Sequence, residues 1–411
     1  MRKSTQILSV NPSGLIRAAL TVAAISCLAA CGGGGGGGSG DVTADGNNPP
    51  PLKPVSHTYA QGTIEGFGSI RVNGVRYDES KATIRNDDGS NIAKENLKLG
   101  MVVDIIAEPA QTNSAGIKVA TASQVHYRSE LEGPLTAVSG NQLTVFGQQV
   151  LLNETTVFED GRAASLVIGK ILEVYGQRRA DGTILASRIE IENDADDLFK
   201  LRGPVTALDV GTGTFRIGEA IIHSPADVNN LANGETVLVR LARSSNAAGQ
   251  WIASTLKKET PLALVESIIS SATGIRADLE GYITKMESAT RFVVAGVLVD
   301  ASAARMPAGL AVGTLVDVEG VLSNGVLRAD EVEREDDLRS DGSAFEIEGF
   351  ITHLDTAKKT FEIRGVTIDY SNSRFEDGTV NDLRVGVEVE VDGVLSSDGK
   401  TIRAQVIEFD D

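Results

Sequence analysis

The chain carries short runs of alternating apolar and polar residues that glycines interrupt, and this pattern recurs five times between about residues 60 and 408. In the last recurrence Phe361 and Ile363 alternate with polar neighbours before Gly365, and alternation resumes from Val366. A period of two predicts β-strands with one buried face. Because the apolar phase slips by one residue, we predict a two-residue turn at Arg364-Gly365 that places the apolar side chains on one face of a hairpin.

The same slip marks a hairpin in each of the other units. Asn73-Gly74 is the turn predicted in the first unit, and Asn-Gly is the strongest short hairpin signal. The second and fourth units slip around Gly147 and Gly296. In the third unit the hairpin is one residue shorter, and Gly218-Glu219 fits a turn with glycine first.

Four residue columns define the repeat, and each is present in all five units. They are an opening glycine (Gly62, Gly133, Gly203, Gly281, Gly349), the turn glycine (Gly74, Gly147, Gly218, Gly296, Gly365), a third glycine (Gly100, Gly169, Gly234, Gly313, Gly386) and a closing alanine (Ala122, Ala186, Ala253, Ala329, Ala404). Successive opening glycines are 71, 70, 78 and 68 residues apart. A fixed period of this kind indicates tandem copies of one structural unit.

Each unit holds about five short strands with no βαβ spacing, so we predict an all-β chain of five small antiparallel barrels, closed because closure removes exposed edges. An irregular segment between the third and fourth strands fits a five-stranded OB-like barrel. The predicted repeats span residues 59–127, 128–194, 197–259, 276–335 and 343–410. The segment 260–275 is a linker with apolar residues at helical spacing, predicted to form a short helix that packs on a neighbouring barrel or, alternatively, contacts a partner or a membrane. The acidic stretch 331–341 is predicted to be a solvated linker.

Recurring motifs connect these units to a known family. The opening reads E-G-x-I at residues 280–283 and 348–351, the middle reads F-x-D-G at 158–161 and 375–378, and the unit closes with V-x-G. In these motifs the repeat resembles a bacterial family of uncharacterised, tandemly repeated OB-like domains found in envelope lipoproteins. The resemblance covers nearly all of the chain after the leader and implies no activity and no site residues. The third unit departs most, with Arg202 at the usual Glu and no F-x-D-G.

The N-terminus has the pattern of a secretory signal. Arg2, Lys3 and Arg17 make a cationic start, and residues 18–30 are apolar or small throughout. As a helix these 13 residues would cover roughly 20 Å, short of the ~30 Å hydrocarbon core. We therefore predict a signal peptide over residues 1–30 rather than a membrane span.

Ala29 and Ala30 directly before Cys31 resemble the lipobox of bacterial lipoproteins. The resemblance implies a diacylglycerol on Cys31 and cleavage between Ala30 and Cys31, so that the chain is a lipid-anchored protein. An ordinary signal peptide with Cys31 incidental is the alternative. With Gly32 after the lipidated residue instead of aspartate, the usual sorting pattern implies the outer membrane, facing the periplasm or the surface. Residues 31–58, rich in glycine and proline, are predicted to be a flexible tether.

The charge and the cysteine content of the chain limit which functions are possible. The two cysteines, Cys27 and Cys31, both lie at the leader, so the barrels contain no disulfide. Removing the leader lowers the net charge from −18 to −21. Together with one tryptophan in the whole chain, this acidity excludes phosphate-backbone binding and base stacking, so no nucleic-acid partner is expected.

The fourth strand carries an acidic residue in four of the five units, and Leu238 stands at that position in the third unit. The fourth strand alternates apolar residues with Asp104, Glu173, Asp317 and Glu390. We interpret this acidic side as a solvated outer face. Weak divalent-cation binding is the alternative, although no D-x-[DN]-x-[DN]-G loop is present.

No motif points to catalysis. The histidines His57, His126, His223 and His353 fall in the tether and in three different repeat columns, and no G-x-S-x-G or H-E-x-x-H occurs. We expect no enzyme activity, no catalytic residues, no cofactor and no metal. The leading hypothesis is a multivalent binding module of the cell envelope with a possible envelope protein partner. The alternatives are a structural spacer or envelope-stress component without a specific ligand, or weak cation binding by the acidic barrel faces.

Overall fold

A computed structural model of the protein describes residues 57–193, 198–260, 274–335 and 345–409. The predicted leader, the lipidation site and the tether up to residue 56 lie outside these residues, as does the predicted helix within 261–273. Within the four described stretches, no helix combines the length and apolar character needed to cross a bilayer.

Strands account for nearly all the regular structure of the first three repeats. The first contains β1 (Thr58–Thr63), β2 (Gly66–Phe67), β3 (Ile70–Val72), β4 (Val75–Asp78), β5 (Thr83–Arg85), β6 (Val102–Ala107), β7 (Gln111–Thr112) and β8 (Lys118–Arg128), with a 3-10 helix at Lys94–Asn96. The second contains β9 (Leu131–Ser139), β10 (Gln142–Val145), β11 (Gln148–Leu151), β12 (Val157–Phe158), helix α1 (Arg162–Ser165), β13 (Ile171–Arg178) and β14 (Ile184–Ile191). The third contains β15 (Leu198–Pro204), β16 (Thr206–Asp209), β17 (Thr214–Ile217), β18 (Ala220–His223), a 3-10 helix at Val228–Asn230, β19 (Thr236–Ser245) and β20 (Trp251–Lys258).

The last two repeats have the same plan. The fourth contains β21 (Ile275–Ser288), β22 (Arg291–Val294), β23 (Val297–Asp300), β24 (Leu315–Ser323) and β25 (Val326–Arg334). The fifth contains β26 (Phe345–Asp355), β27 (Thr360–Ile363), β28 (Val366–Asp369), β29 (Arg374–Glu376), a 3-10 helix at Val380–Asp382, β30 (Glu388–Leu395) and β31 (Thr401–Phe409). Residues 331–334 of the predicted acidic linker therefore belong to β25, because their backbone continues the ladder with β24.

The strands close into barrels. In the fourth repeat β21 pairs with β22, β22 with β23, β23 in parallel with β25, β25 with β24, and β24 again with β21. Numbered within the repeat, this closed order is 1-2-3-5-4, and the same pairings recur in the fifth repeat. The predicted all-β architecture of tandem OB-like barrels is confirmed. The exact boundaries of the repeats remain a prediction.

The predicted hairpin turns are confirmed in all five repeats. Ile363 pairs with Val366 across the last turn, where Arg364 and Gly365 have φ of 50° and 81°. Two positive φ angles define the tight turn that suits a twisted hairpin. In the third repeat Ile217 pairs with Ala220, and only the first turn residue, Gly218, has a positive φ. The register was readable from sequence because a two-residue turn fixes it locally.

The opening glycine has a packing role. A Cβ placed on Gly133 would lie 2.8 Å from Cβ of Phe146, a turn residue of the adjacent hairpin. Contacts this short do not occur between real side chains, so the hairpin can fold over the opening strand only where that strand has no side chain. The opening glycine column therefore marks where side chains of the hairpin pack against the backbone of the opening strand.

The barrels are joined to one another through their opening strands. β1 pairs in parallel with β21, β2 in parallel with β26, and β9 antiparallel with β15. These pairings produce one sheet shared by the first, fourth and fifth repeats and another shared by the second and third. Between the second and third barrels, Phe146 packs on Phe199 and Trp251 with ring centroids 5.3 and 4.6 Å away. Apolar contacts and shared hydrogen bonds thus connect neighbouring barrels.

Candidate functional site

The acidic residues of the fourth strand do not form a solvated outer face, so that prediction was wrong. Asp104 is only 6% exposed and accepts a hydrogen bond from the Tyr59 hydroxyl at 2.6 Å. Glu173 and Glu390 are ion-paired with cations from other barrels. Alternation along a strand predicts a polar face, but it carries no information on whether a neighbouring barrel covers that face.

In each barrel this fourth-strand position, which is acidic in all but the third, stands directly opposite the residue that precedes the opening glycine. The opposed pairs are Gln61 with Asp104, Glu132 with Glu173, Arg202 with Leu238, Glu280 with Asp317, and Glu348 with Glu390. Three of the five pairs are two carboxyl groups on adjacent strands. Like charges in that position repel each other, so each pair needs a cation or a proton.

In the fifth barrel the cation is Arg76 of the first barrel. Its guanidinium lies 2.7 Å from a carboxylate oxygen of Glu346, 3.1 Å from Glu348 and 2.9 Å from Glu390. Burial alone would lower the pKa of Arg76, but Glu346 and Glu390 outweigh it and raise that pKa. One arginine therefore neutralises the acidic pair and joins two barrels that are far apart in sequence.

In the second barrel the cations come from the third. Lys200 Nζ contacts Glu173 and lies 3.2 Å from Asp87 of the first barrel. Arg202, which departs from the usual Glu, is buried and contacts both Asp87 and Glu259. Burial would raise the pKa of Asp87, but Arg202 and Lys200 lower it to about 2. The departure in the third repeat thus supplies a positive charge where three barrels meet.

The fourth barrel neutralises its acidic pair differently. Among the described residues, neither Glu280 nor Asp317 has a lysine or arginine within ion-pair distance, although Gln177 donates a hydrogen bond to Glu280. Burial raises the pKa of both carboxyls well above their ordinary values, and the charge of Asp278 raises that of Asp317 further. Burial also raises the pKa of Asp278, to about 6. The raised pKa values favour protonated carboxyls in this pair, whereas cations balance the corresponding pairs of the second and fifth barrels.

A cavity of about 860 Å³ opens where the first four barrels meet. Its wall includes segments around Asp87 and His126 of the first barrel, residues 176–182 of the second, and residues 202–204 and 255–260 of the third. The fourth barrel contributes Glu280 to Tyr282. Cavities of this size accommodate small-molecule ligands.

The cavity wall is rich in charged side chains of both signs. Seven are basic and six are acidic, namely Arg85, Arg128, Arg178, Arg179, Arg202, Arg240 and Lys257, and Asp87, Asp88, Asp104, Glu130, Glu259 and Glu280. Arg178 lies 3.1 Å from Glu130, Arg128 lies 3.7 Å from Asp104, and Arg240 contacts Asp88. Since Arg202 contacts Asp87 and Glu259, every acid except Glu280 has a basic partner.

Three basic side chains of the wall are left without a carboxylate partner in the described part of the chain. They are Arg85, Arg179 and Lys257. Arg179 stacks over the ring of Tyr282 at 5.4 Å, and Arg85 Nε donates to Asn91 Oδ1 at 3.3 Å. With seven basic and six acidic side chains, the wall has an excess of positive charge within an acidic protein. Sequence analysis missed this site because its residues come from four repeats that only the fold brings together.

One group of three carboxylates in the described residues has oxygens close enough to hold a metal ion. Glu173, Glu190 and Glu192 each offer an oxygen within 4.8 Å of the others. However, Lys200 contacts Glu173 and Arg188 contacts Glu190. The basic partners already balance two of the three charges, so the arrangement is accounted for by ion pairing.

The fold and the charged cavity define a protein of tandem closed β-barrels that are joined around a common cleft. Three of its segments, residues 132–190, 280–333 and 348–408, match the family described as "Domain of unknown function (DUF5666)". The matches fall in the second, fourth and fifth barrels. No curated protein matches the chain.

Proposed function

We propose that this chain is a lipid-anchored binding protein of the bacterial cell envelope, without enzymatic activity, and that the cavity between its first four barrels is its ligand site. The observation that carries the binding role is the cavity itself, whose wall is assembled from four repeats. A spacer would need neither a cavity assembled from four repeats nor basic residues inside it that lack a carboxylate partner in the described part of the chain. Fold alone does not specify a ligand, so the proposal rests on these side chains.

The anchor rests on the sequence. Cys31 follows a short apolar segment and two alanines, and a tether rich in glycine and proline follows it. Two or three acyl chains on one residue would give a stable attachment, since each buried methylene contributes about 0.8 kcal/mol. Gly32 favours delivery to the outer membrane.

Membrane fractionation tests the anchor. The Cys31→Ser variant is expected to leave the membrane fraction after high-salt washing, whereas Cys27→Ser, which alters the other leader cysteine, is expected to remain there. Mass spectrometry of the N-terminal peptide should show acylation of Cys31 in the wild type and in the Cys27→Ser control. A membrane-bound Cys31→Ser protein after washing would contradict the anchor.

Native mass spectrometry tests the ligand site. The full-length protein, purified from the envelope in a mild neutral detergent, should carry an additional mass of small-molecule size. Thr255 lines the cavity with an exposed side chain, so Thr255→Trp fills space there without changing charge. Thr352→Trp, at an exposed position of the fifth barrel, is the matched control.

Loss of the added mass in Thr255→Trp and its retention in Thr352→Trp would support the proposal. The same added mass in both variants would place the ligand elsewhere. A protein that carries no ligand and instead crosslinks to one specific envelope protein through other surfaces would favour the partner-docking form of the binding hypothesis over the cavity.

A further inference from the structure

We infer that the cavity binds a small organic anion, one that carries a phosphate or carboxylate group on an aromatic or apolar body. This inference rests on the proposed function, because it assigns a chemical class to the ligand of the same cavity. The main observation behind it is that basic side chains outnumber acidic ones on the cavity wall.

The excess positive charge comes from Arg85, Arg179 and Lys257, the three basic wall residues with no carboxylate partner in the described residues. The other four basic residues of the wall contact carboxylates. In a chain with a net charge of −18, three such cations around one cavity are not accounted for by pairing within the wall. An anion that enters the cavity would complete the pairing.

Two of these cations are exposed and one is held in place. Arg85 and Lys257 lie on exposed stretches of β5 and β20, where they can meet a ligand from solvent. Arg179 is half-buried, and its guanidinium is fixed against Tyr282. Contact with an aromatic ring leaves the edge of a guanidinium free to donate hydrogen bonds, and guanidinium groups pair with phosphate and carboxylate through two parallel bonds.

The remaining wall favours a ligand with an apolar body. Tyr59, Val125, Leu238 and Tyr282 line the cavity beside the charged groups. A site of about 860 Å³ suits a single small molecule. A charged group at the cations and an aromatic body against these side chains would use both parts of the wall.

Isothermal titration calorimetry on the full-length protein in neutral detergent tests the inference with four probes. Phenyl phosphate and benzoate combine an anion with an aromatic ring, inorganic phosphate has the anion alone, and benzyl alcohol has the ring without the charge. Phenyl phosphate or benzoate should bind tightest, and the comparison between them identifies which anionic group the cavity prefers. Both should bind more weakly as salt is raised.

The variant Arg179→Gln/Lys257→Gln removes two of the unpaired cations. Its dissociation constant for the preferred aromatic anion should rise at least about tenfold, the effect of losing one charge-assisted hydrogen bond. Arg374→Gln/Lys358→Gln makes the same change of charge at exposed positions of the fifth barrel and should alter the constant less than about twofold. Circular dichroism and thermal unfolding check that both variants fold.

Three results would overturn the inference. The first is no measurable binding of any anionic probe by the wild type, and the second is equal weakening in both double variants. The third is binding of benzyl alcohol as tight as that of phenyl phosphate, which would contradict the ligand class but leave the cavity as a binding site. By contrast, if Thr255→Trp still binds the anion, the cavity is not the binding site, which would contradict both proposals.

Discussion

Glu280 and Asp317 lie directly opposite each other on β21 and β24, with no basic side chain within ion-pair distance of either in the described residues. The corresponding pair in the fifth barrel, Glu348 and Glu390, is bridged by Arg76. One structural position is thus stabilised by protons in one barrel and by an arginine in another. This difference leads to opposite responses to pH and to substitution.

Asp317→Asn should stabilise the protein at high pH and have little effect at low pH. Burial and Asp278 raise the folded-state pKa of Asp317 above that of the unfolded chain, so folded molecules hold protons that unfolded ones release. Stability therefore falls as the pH rises from about 4 through the raised folded pKa of Asp317. Urea unfolding at pH 8 should show a gain of about 1 to 3 kcal/mol, and at pH 4 no gain.

Glu362→Gln on β27 is the control for this experiment, because it removes one negative charge outside the acidic cluster. A gain of the same size in Glu362→Gln would attribute the effect to net charge. Destabilisation of Asp317→Asn at pH 8 would mean that the carboxyl is ionised and well solvated in the folded protein.

Arg76→Gln should destabilise the junction of the first and fifth barrels at neutral pH. Its loss removes the cation that Glu348 and Glu390 share, whereas Glu346 keeps its ion pair with Arg71. Removing one partner of a largely buried ion-pair network costs about 3 kcal/mol. The loss should shrink as the pH is lowered towards 4, since the carboxylates then take up protons. Arg403→Gln, exposed on β31, should change urea stability by less than about 0.5 kcal/mol.

Asp87→Asn and Asp88→Asn compare the loss of a buried charge with the loss of an exposed charge at the adjacent position. Asp87 is buried and contacts Lys200 and Arg202, whereas the side chain of Asp88 is 53% exposed and contacts Arg240. Urea unfolding at pH 7 should show a loss of about 3 kcal/mol for Asp87→Asn and less than about 1 kcal/mol for Asp88→Asn.

The pKa of Asp87 adds a second signature. Because Arg202 and Lys200 lower its folded pKa to about 2, its ionised form stabilises the protein above about pH 4, and this stabilisation is lost as the pH falls towards 2. The stability difference between wild type and Asp87→Asn should therefore decrease over that range. A difference that stays constant down to pH 2 would contradict the buried ion pairs.

Gly133→Ala should destabilise the second barrel without changing its surface. The added Cβ would lie 2.8 Å from Phe146, so the hairpin must move away from the opening strand. Overpacking of this kind costs about 1 to 3 kcal/mol. Gly211→Ala, whose new Cβ would meet only a side-chain oxygen of Asp209 at 3.3 Å, is the control. Equal thermal unfolding temperatures for the two variants would contradict the packing role.

The parts of the fold that sequence analysis predicted correctly are those with local causes. Arg364-Gly365 fixes a hairpin through its own backbone angles, and the recurrence of such turns specified five all-β units. The acidic fourth strands were misread because their environment depends on other barrels. Glu173 and Glu390 have the alternation of a solvated face, and only the fold brings Lys200 of the third barrel and Arg76 of the first barrel to them.

The candidate site could not be predicted for the same reason. Arg179, Lys257 and Glu280 come from three repeats, and no spacing in the sequence relates them. The sequence shows that Arg202 replaces the usual Glu of its column. The role of Arg202 depends on its contact with Asp87, which lies 115 residues earlier in the chain. Long-range pairings between barrels determine the charge of the cavity.

Crosslinking across the cavity is the most direct test that four barrels enclose a common binding site. Gln177 of the second barrel donates a hydrogen bond to Glu280 of the fourth, and both line the cavity. In the protein with Gln177→Cys and Glu280→Cys, a short bis-maleimide should give an intrachain crosslink, identified by peptide mass. Gln177→Cys with Lys358→Cys, in the turn after β26, is the control. A crosslink confined to the first pair is the predicted result, and equal or absent crosslinking in both proteins would contradict the shared cavity.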